Sequence, residues 1–165
     1  MHLLPVVAKK IMESIHHYNS GVSFQNLGKL DEAVDSYRLA IILNPDFVEA
    51  HNNLGITLMD LGKLDEAVIS YQNTLDLKPD YAEAHNNLGN VFHHLNRLDE
   101  SIVCYRKAID RKPDYADAWI NLGTTTTPYP SGVTSDEGIL APLQYVGLGT
   151  IADLRGRDLS GKIIL

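Results

Sequence analysis

A thirty-four-residue unit recurs in register three times along this 165-residue chain, and that period limits the fold more than any other feature. Residues 82–115 read AEAHNNLGNVFHHLNRLDESIVCYRKAIDRKPDY, and residues 48–81 and 14–47 repeat the pattern one and two periods earlier. Asparagine recurs at Asn19, Asn53 and Asn87, and glycine at Gly21, Gly55 and Gly89. A small residue recurs at Ala33, Ala67 and Ser101, tyrosine at Tyr37, Tyr71 and Tyr105, and proline at Pro45, Pro79 and Pro113. A fixed period of this length implies stacked units, each burying its apolar face only against a neighbour.

Each unit reads as two helices. In the second, the first helix is expected over Val48 to Leu61, with Asp46 and Glu49 spaced as a capping box and Asp80 and Glu83 repeating it. Gly62 should end that helix, with Gly28 and Asn96 in the equivalent places, because these residues tolerate a left-handed backbone. The second helix should start at Leu64-Asp65-Glu66 and stop before Pro79. The glycines then mark the closest approach of the paired helices, with Ala33, Ala67 and Ser101 facing them. Leu54, Leu88, Leu122, Phe24, Leu58 and Phe92 supply apolar knobs, and Tyr37, Tyr71 and Tyr105 fill the joint to the next repeat. The expected fold is all-α, a right-handed superhelical solenoid of antiparallel helix pairs with a short β-prone C-terminal tail. Residues 1–13 read as an N-terminal extension covering the first repeat, with Pro5 placed to open a helix. Residues 14–47, 48–81 and 82–115 are the repeats, 116–125 a half repeat acting as a cap, and 126–165 a linker followed by short apolar runs.

A net charge of −7 and an isoelectric point near 5.4 argue against a nucleic-acid partner, since no basic footprint exists to displace counterions. Cys104 is the single cysteine, so a disulfide framework is excluded and a reducing, cytoplasmic setting is expected. No run suits a membrane span. Adjacent histidines such as His93 and His94 diverge by about 100° on a helix, which disfavours chelation. With no nucleophile–base pair and no phosphate loop, no metal site, cofactor or catalytic residue is expected.

The pattern resembles the tetratricopeptide repeat, whose signature runs Trp, two residues, Leu-Gly, two residues, Tyr, then a small residue, an aromatic residue and proline. Trp119-Ile120-Asn121-Leu122-Gly123 opens a fourth copy. The departures are His17, His51 and His85 at the tryptophan position and Ser20 at a leucine position. The recurrent asparagines, extended to Asn121, sit where the first helix requires no apolar residue. One reason for them is duplication with interhelix hydrogen bonds. The other is a ladder of carboxamides able to pair with the backbone of an extended peptide. The second arrangement resembles the repeats of O-linked N-acetylglucosamine transferases. Glu49, Glu83 and Asp117 lie one turn earlier on the same face, and Ile56, Asn90 and Thr124 one turn later. Chaperone-binding members of the family use lysines and arginines on this face to clamp a C-terminal carboxylate. At the matching places this chain has Tyr18, Val22, Asn53, Glu83 and Asn87, of which only Asn53 agrees and Glu83 carries the wrong charge, so a carboxylate clamp is not expected. Residues 138–165 resemble the opening of a protease-associated domain of zinc aminopeptidases.

These features lead to a non-catalytic protein-interaction module that holds an extended, neutral or basic peptide in its concave groove. The alternative is the recognition region of a larger glycosyltransferase or zinc aminopeptidase whose catalytic domain lies elsewhere.

Overall fold

The ends of the helices decide how the chain folds back on itself. In the computed structural model, which describes residues 3–126, seven helices follow one another: α1 (Leu3–Asn26), α2 (Leu30–Leu43), α3 (Val48–Asp60), α4 (Leu64–Leu77), α5 (Ala82–His94), α6 (Leu98–Arg111) and α7 (Ala116–Thr126). Gly28 and Gly62 adopt φ +71° and Asn96 φ +58°. Beyond α3, Lys63 N–H donates to Leu58 O at 2.8 Å and Gly62 N–H to Met59 O at 2.9 Å, the paired bonds of a Schellman ending. The same two bonds close α1 through Lys29 and Gly28, and α5 through Arg97 and Asn96.

The capping boxes do not form. The residues before α3 and α5 are Phe47 and Tyr81, and neither helix has a side-chain cap. Asp46 and Asp80 are used in turns instead. Phe47 N–H closes on Asn44 O at 3.1 Å and Tyr81 N–H on Lys78 O at 3.2 Å. This leaves Pro45-Asp46 and Pro79-Asp80 as the central residues, and proline's fixed φ suits the first of these positions. Each aspartate therefore falls one residue too early to cap.

Consecutive helices pack antiparallel in pairs, α1 on α2, α3 on α4 and α5 on α6, and α7 packs on α6 and α5. A Cβ added at Gly21, Gly55 or Gly89 would lie 2.7, 2.8 or 2.6 Å from the ring of Tyr37, Tyr71 or Tyr105 respectively. These rings, expected at the joint to the next repeat, thus lie first against the glycine of their own repeat. Two of the three hydroxyls bond to the first helix of their own repeat. Tyr37 donates to Gln25 Oε1 at 2.7 Å. Tyr105 donates to Asn90 Oδ1 at 2.8 Å. Ser101 Oγ donates to Gly89 O at 2.9 Å, so the small residue does face the glycine.

Tyr71 is the exception. Its hydroxyl is buried without a partner, because Met59 and Ile56 stand where Gln25 and Asn90 serve the other two rings. An orphaned buried hydroxyl costs about 1–3 kcal/mol, whereas a made bond contributes about 1 kcal/mol. Tyr71→Phe should therefore be neutral or stabilising, while Tyr37→Phe and Tyr105→Phe should each cost about 1 kcal/mol. Urea midpoints of the three variants check this difference in sign.

The histidines at the tryptophan position keep one function of the indole. His51 Nε2 lies 2.9 Å from Pro45 O and His85 Nε2 3.0 Å from Pro79 O, as Trp119 Nε1 lies 2.9 Å from Pro113 O. Donation to a carbonyl fixes the Nε2–H tautomer. It leaves His85 Nδ1 buried without a partner. Burial holds His85 below its ordinary value of 6.5, with Lys107 and Arg111 adding to the depression and the Pro79 bond opposing it. The unfolded chain then takes up this proton first. Stability is fully present above about pH 6.5 and is lost as pH falls through the lower native value. Replacing His85 with tryptophan should flatten this part of the stability–pH curve, as measured by denaturant titration between pH 7 and pH 5.

At the N-terminus, residues 3–13 continue α1 and do not fold back over the first repeat. The helix starts at Leu3, so Pro5 lies in its first turn, where its missing N–H leaves no bond unmade. Val6, Val7, Ile11, Met12 and Ile15 stay exposed. The expected strands and the protease-associated resemblance lie outside the described residues.

Candidate peptide-binding groove

First helices α1, α3, α5 and α7 contact one another as well as the second helices wedged between them. This closer approach curves the stack so that the first helices line its inner face. The asparagine row lies along that face, and its members differ in what holds them. Asn53 Nδ2 donates to Tyr18 OH at 3.2 Å, crossing from the second repeat to the first. Asn121 Nδ2 donates to Asn86 Oδ1 at 3.0 Å and to Asn90 Oδ1 at 3.1 Å, which occupies both of its N–H groups. These are the interhelix bonds that duplication alone would keep.

Asn87 and Asn19 differ from these two. Asn87 is half-buried and Asn19 exposed, and among the described residues neither carboxamide has a hydrogen-bond partner. Asn90 accepts from Tyr105 and Asn121 through its oxygen, while its own N–H groups donate to nothing described. A cavity of about 220 Å³ opens beside it, lined by Met59, Asn90, His93, Tyr105, Asn121 and Thr124. The middle of the row thus offers both acceptor and donor capacity to a ligand.

Acids border the row. Glu49 and Asp117 are exposed, and Glu83 lies 3.6 Å from Lys112 Nζ. Burial raises the Tyr81 and Tyr115 hydroxyls, and the neighbouring carboxylates add to this, Glu83 and Glu49 at Tyr81 and Glu83 and Asp117 at Tyr115. Lys78 Nζ sits 4.7 Å from the Tyr81 ring centre and Lys112 Nζ 5.0 Å from that of Tyr115. Sequence reasoning missed this aromatic edge, although Phe47, Tyr81 and Tyr115 recur at the same period and could have been read from it. It also missed Asn52 and Asn86, the buried neighbours that bond to the ladder residues.

No group of three or more potential metal ligands occurs among the described residues. Burial pushes the Cys104 thiol up to about 11, so it should resist alkylation at pH 8 until the protein unfolds, as mass spectrometry can follow. Among the described residues no helix is long and apolar enough to cross a membrane.

Repeated helix pairs with glycine–tyrosine contacts define a class of stacked-repeat binding proteins. The TPR repeat family matches residues 21–62 and 57–96, and the Tetratricopeptide repeat family matches 82–115, so the chain belongs to the tetratricopeptide repeat proteins. No curated protein matches it. Among solved structures it is similar to MamA, at 27% identity and TM-score 0.65, covering 68% of this chain and 62% of that one. The first TPR of Spaghetti (RPAP3), bound to the HSP90 peptide SRMEEVD, has 21% identity and TM-score 0.68, covering 70% and 91%. The second TPR domain of human RPAP3, in complex with the HSP70 peptide SGPTIEEVD, has 19% identity and TM-score 0.69, covering 72% and 98%. The chain thus spans less than two thirds of the MamA chain.

Proposed function

We propose that the inner face holds an extended peptide segment of another protein, without catalysis. Asn53 and Asn87 grip its backbone at the centre, Asn90 donates to it, and Asn19 and Asn121 continue the row at either end. The observation that carries this reading is Asn87, a half-buried carboxamide in mid-row with no partner of its own. Asparagine is a mediocre helix former, so an unbonded one recurring inside a helix needs another reason.

The RPAP3 domains are seen with acidic peptides, and the charge here points elsewhere. None of Tyr18, Val22, Asn53, Glu83 and Asn87 is cationic, and Glu49, Glu83 and Asp117 border the row. The groove therefore favours neutral or basic peptides, by a margin that shrinks as salt rises. Backbone hydrogen bonds contribute about 1 kcal/mol each, and ordering the peptide opposes them, so affinity should be about micromolar or weaker. A peptide array followed by calorimetric titration tests this. Glu83→Lys should penalise basic peptides selectively. A wild-type preference for acidic peptides would contradict the reading.

A further inference from the structure

We infer that the outer face carries a second binding site, a groove between the second and third repeats that takes an apolar side chain of a partner peptide with an acidic residue beside it. Two equivalent grooves lie on that face, and they differ at one crossing. Over the first, Arg38 Nη2 of α2 bonds Glu66 Oε2 of α4 at 2.7 Å, and the cavity measures about 340 Å³. One period on, Gln72 stands in place of Arg38. Glu100, the equivalent of Glu66, pairs with Arg97 of its own repeat. Nothing described ties the two walls together there, and the cavity measures about 760 Å³.

The chemistry of this second groove is specific. Leu75, Leu88, Phe92 and Val103 give it apolar walls, and Val103 is 50% exposed. His85, 7% exposed, lines it and keeps Nδ1 as an acceptor without a donor. Lys107 and Arg111 follow Val103 along α6, one and two turns further on. Among the described residues neither forms an ion pair. Asp99 lines the groove toward the start of α6, and Asp76 lines it on α4. A ligand carboxylate is therefore placed toward Lys107 and Arg111, and its apolar neighbour toward Phe92.

The test is an NMR titration of the ¹⁵N-labelled full chain with the hexapeptide Gly-Leu-Phe-Glu-Asp-Gly. Shifts should concentrate at residues 85–92 and 103–111. Lys107→Glu with Arg111→Glu should weaken binding about tenfold. Gln72→Arg with Arg97→Lys copies the crossing of the first joint at exposed positions and should weaken it similarly. The inference is overturned by shifts confined to the asparagine row, or by no shifts at millimolar peptide. It is equally overturned if Lys107→Glu/Arg111→Glu lowers the melting temperature but not the affinity, which would leave the two cations as partners of the α6 dipole alone.

Discussion

Replacing Gly89 with alanine should destabilise the protein by about 1–3 kcal/mol, against the usual effect of that substitution in a helix. Alanine in place of an interior glycine normally gains about 1 kcal/mol from backbone entropy. Here the new methyl would stand 2.6 Å from one ring carbon of Tyr105 and 2.7 Å from another, well inside contact distance. The ring cannot retreat easily, because it is 2% exposed and its hydroxyl is bonded to Asn90 at 2.8 Å. Either the ring leaves its rotamer or α5 and α6 separate, and both loosen the pair on which the third repeat is built. Gly62→Ala provides the contrast. Nothing lies within 4 Å of its added carbon, and the cost comes from φ +71° alone, about 1 kcal/mol. Thermal unfolding should rank Gly89→Ala as the more damaging. In a Tyr105→Leu background most of the Gly89→Ala penalty should vanish, since the double-mutant cycle removes the clash itself. A neutral Gly89→Ala would mean that the ring does not set the helix spacing.

Much of the fold is legible in the sequence because its signals are local. Gly62 and Asn96 end their helices through bonds that reach only five residues back, and Pro79 stops α4 wherever the neighbouring repeat lies. The misreadings concern choices between two local uses of one residue, or contacts set by the stacking. Asp46 and Asp80 fit a cap as well as a turn by spacing, and the proline before each decides for the turn. Tyr71 reads like Tyr37 and Tyr105, yet Ile56 and Met59 deny it a partner across the helix pair. In the asparagine row, identical spacing hides different neighbours. Asn53 meets Tyr18 and Asn121 meets Asn86 and Asn90, while Asn87 bonds to neither of its equivalents: Asn52 stands where Asn86 does, but Ile56 replaces Asn90. That division depends on which side chain the stacking brings opposite, and one repeat read alone does not contain it.

The larger functional effect is expected from the pair Asn53→Ala and Asn87→Ala. The two residues should separate in stability but not in binding. Asn53→Ala gives up its bond to Tyr18 and should cost about 1 kcal/mol of stability, whereas Asn87→Ala has no internal bond to lose and should leave the melting temperature unchanged. For a peptide backbone lying along the row each carboxamide contributes a similar amount, so each substitution should weaken binding about fivefold and the pair about tenfold to thirtyfold. The loss should be alike for unrelated peptide sequences, because every residue presents the same amide. Calorimetric titration of extended neutral peptides into wild type and Asn87→Ala tests this most directly. A uniform loss of affinity at unchanged melting temperature is the predicted result. Unchanged affinity for every peptide would show that Asn87 is a relic of duplication and that ligands bind elsewhere on the stack.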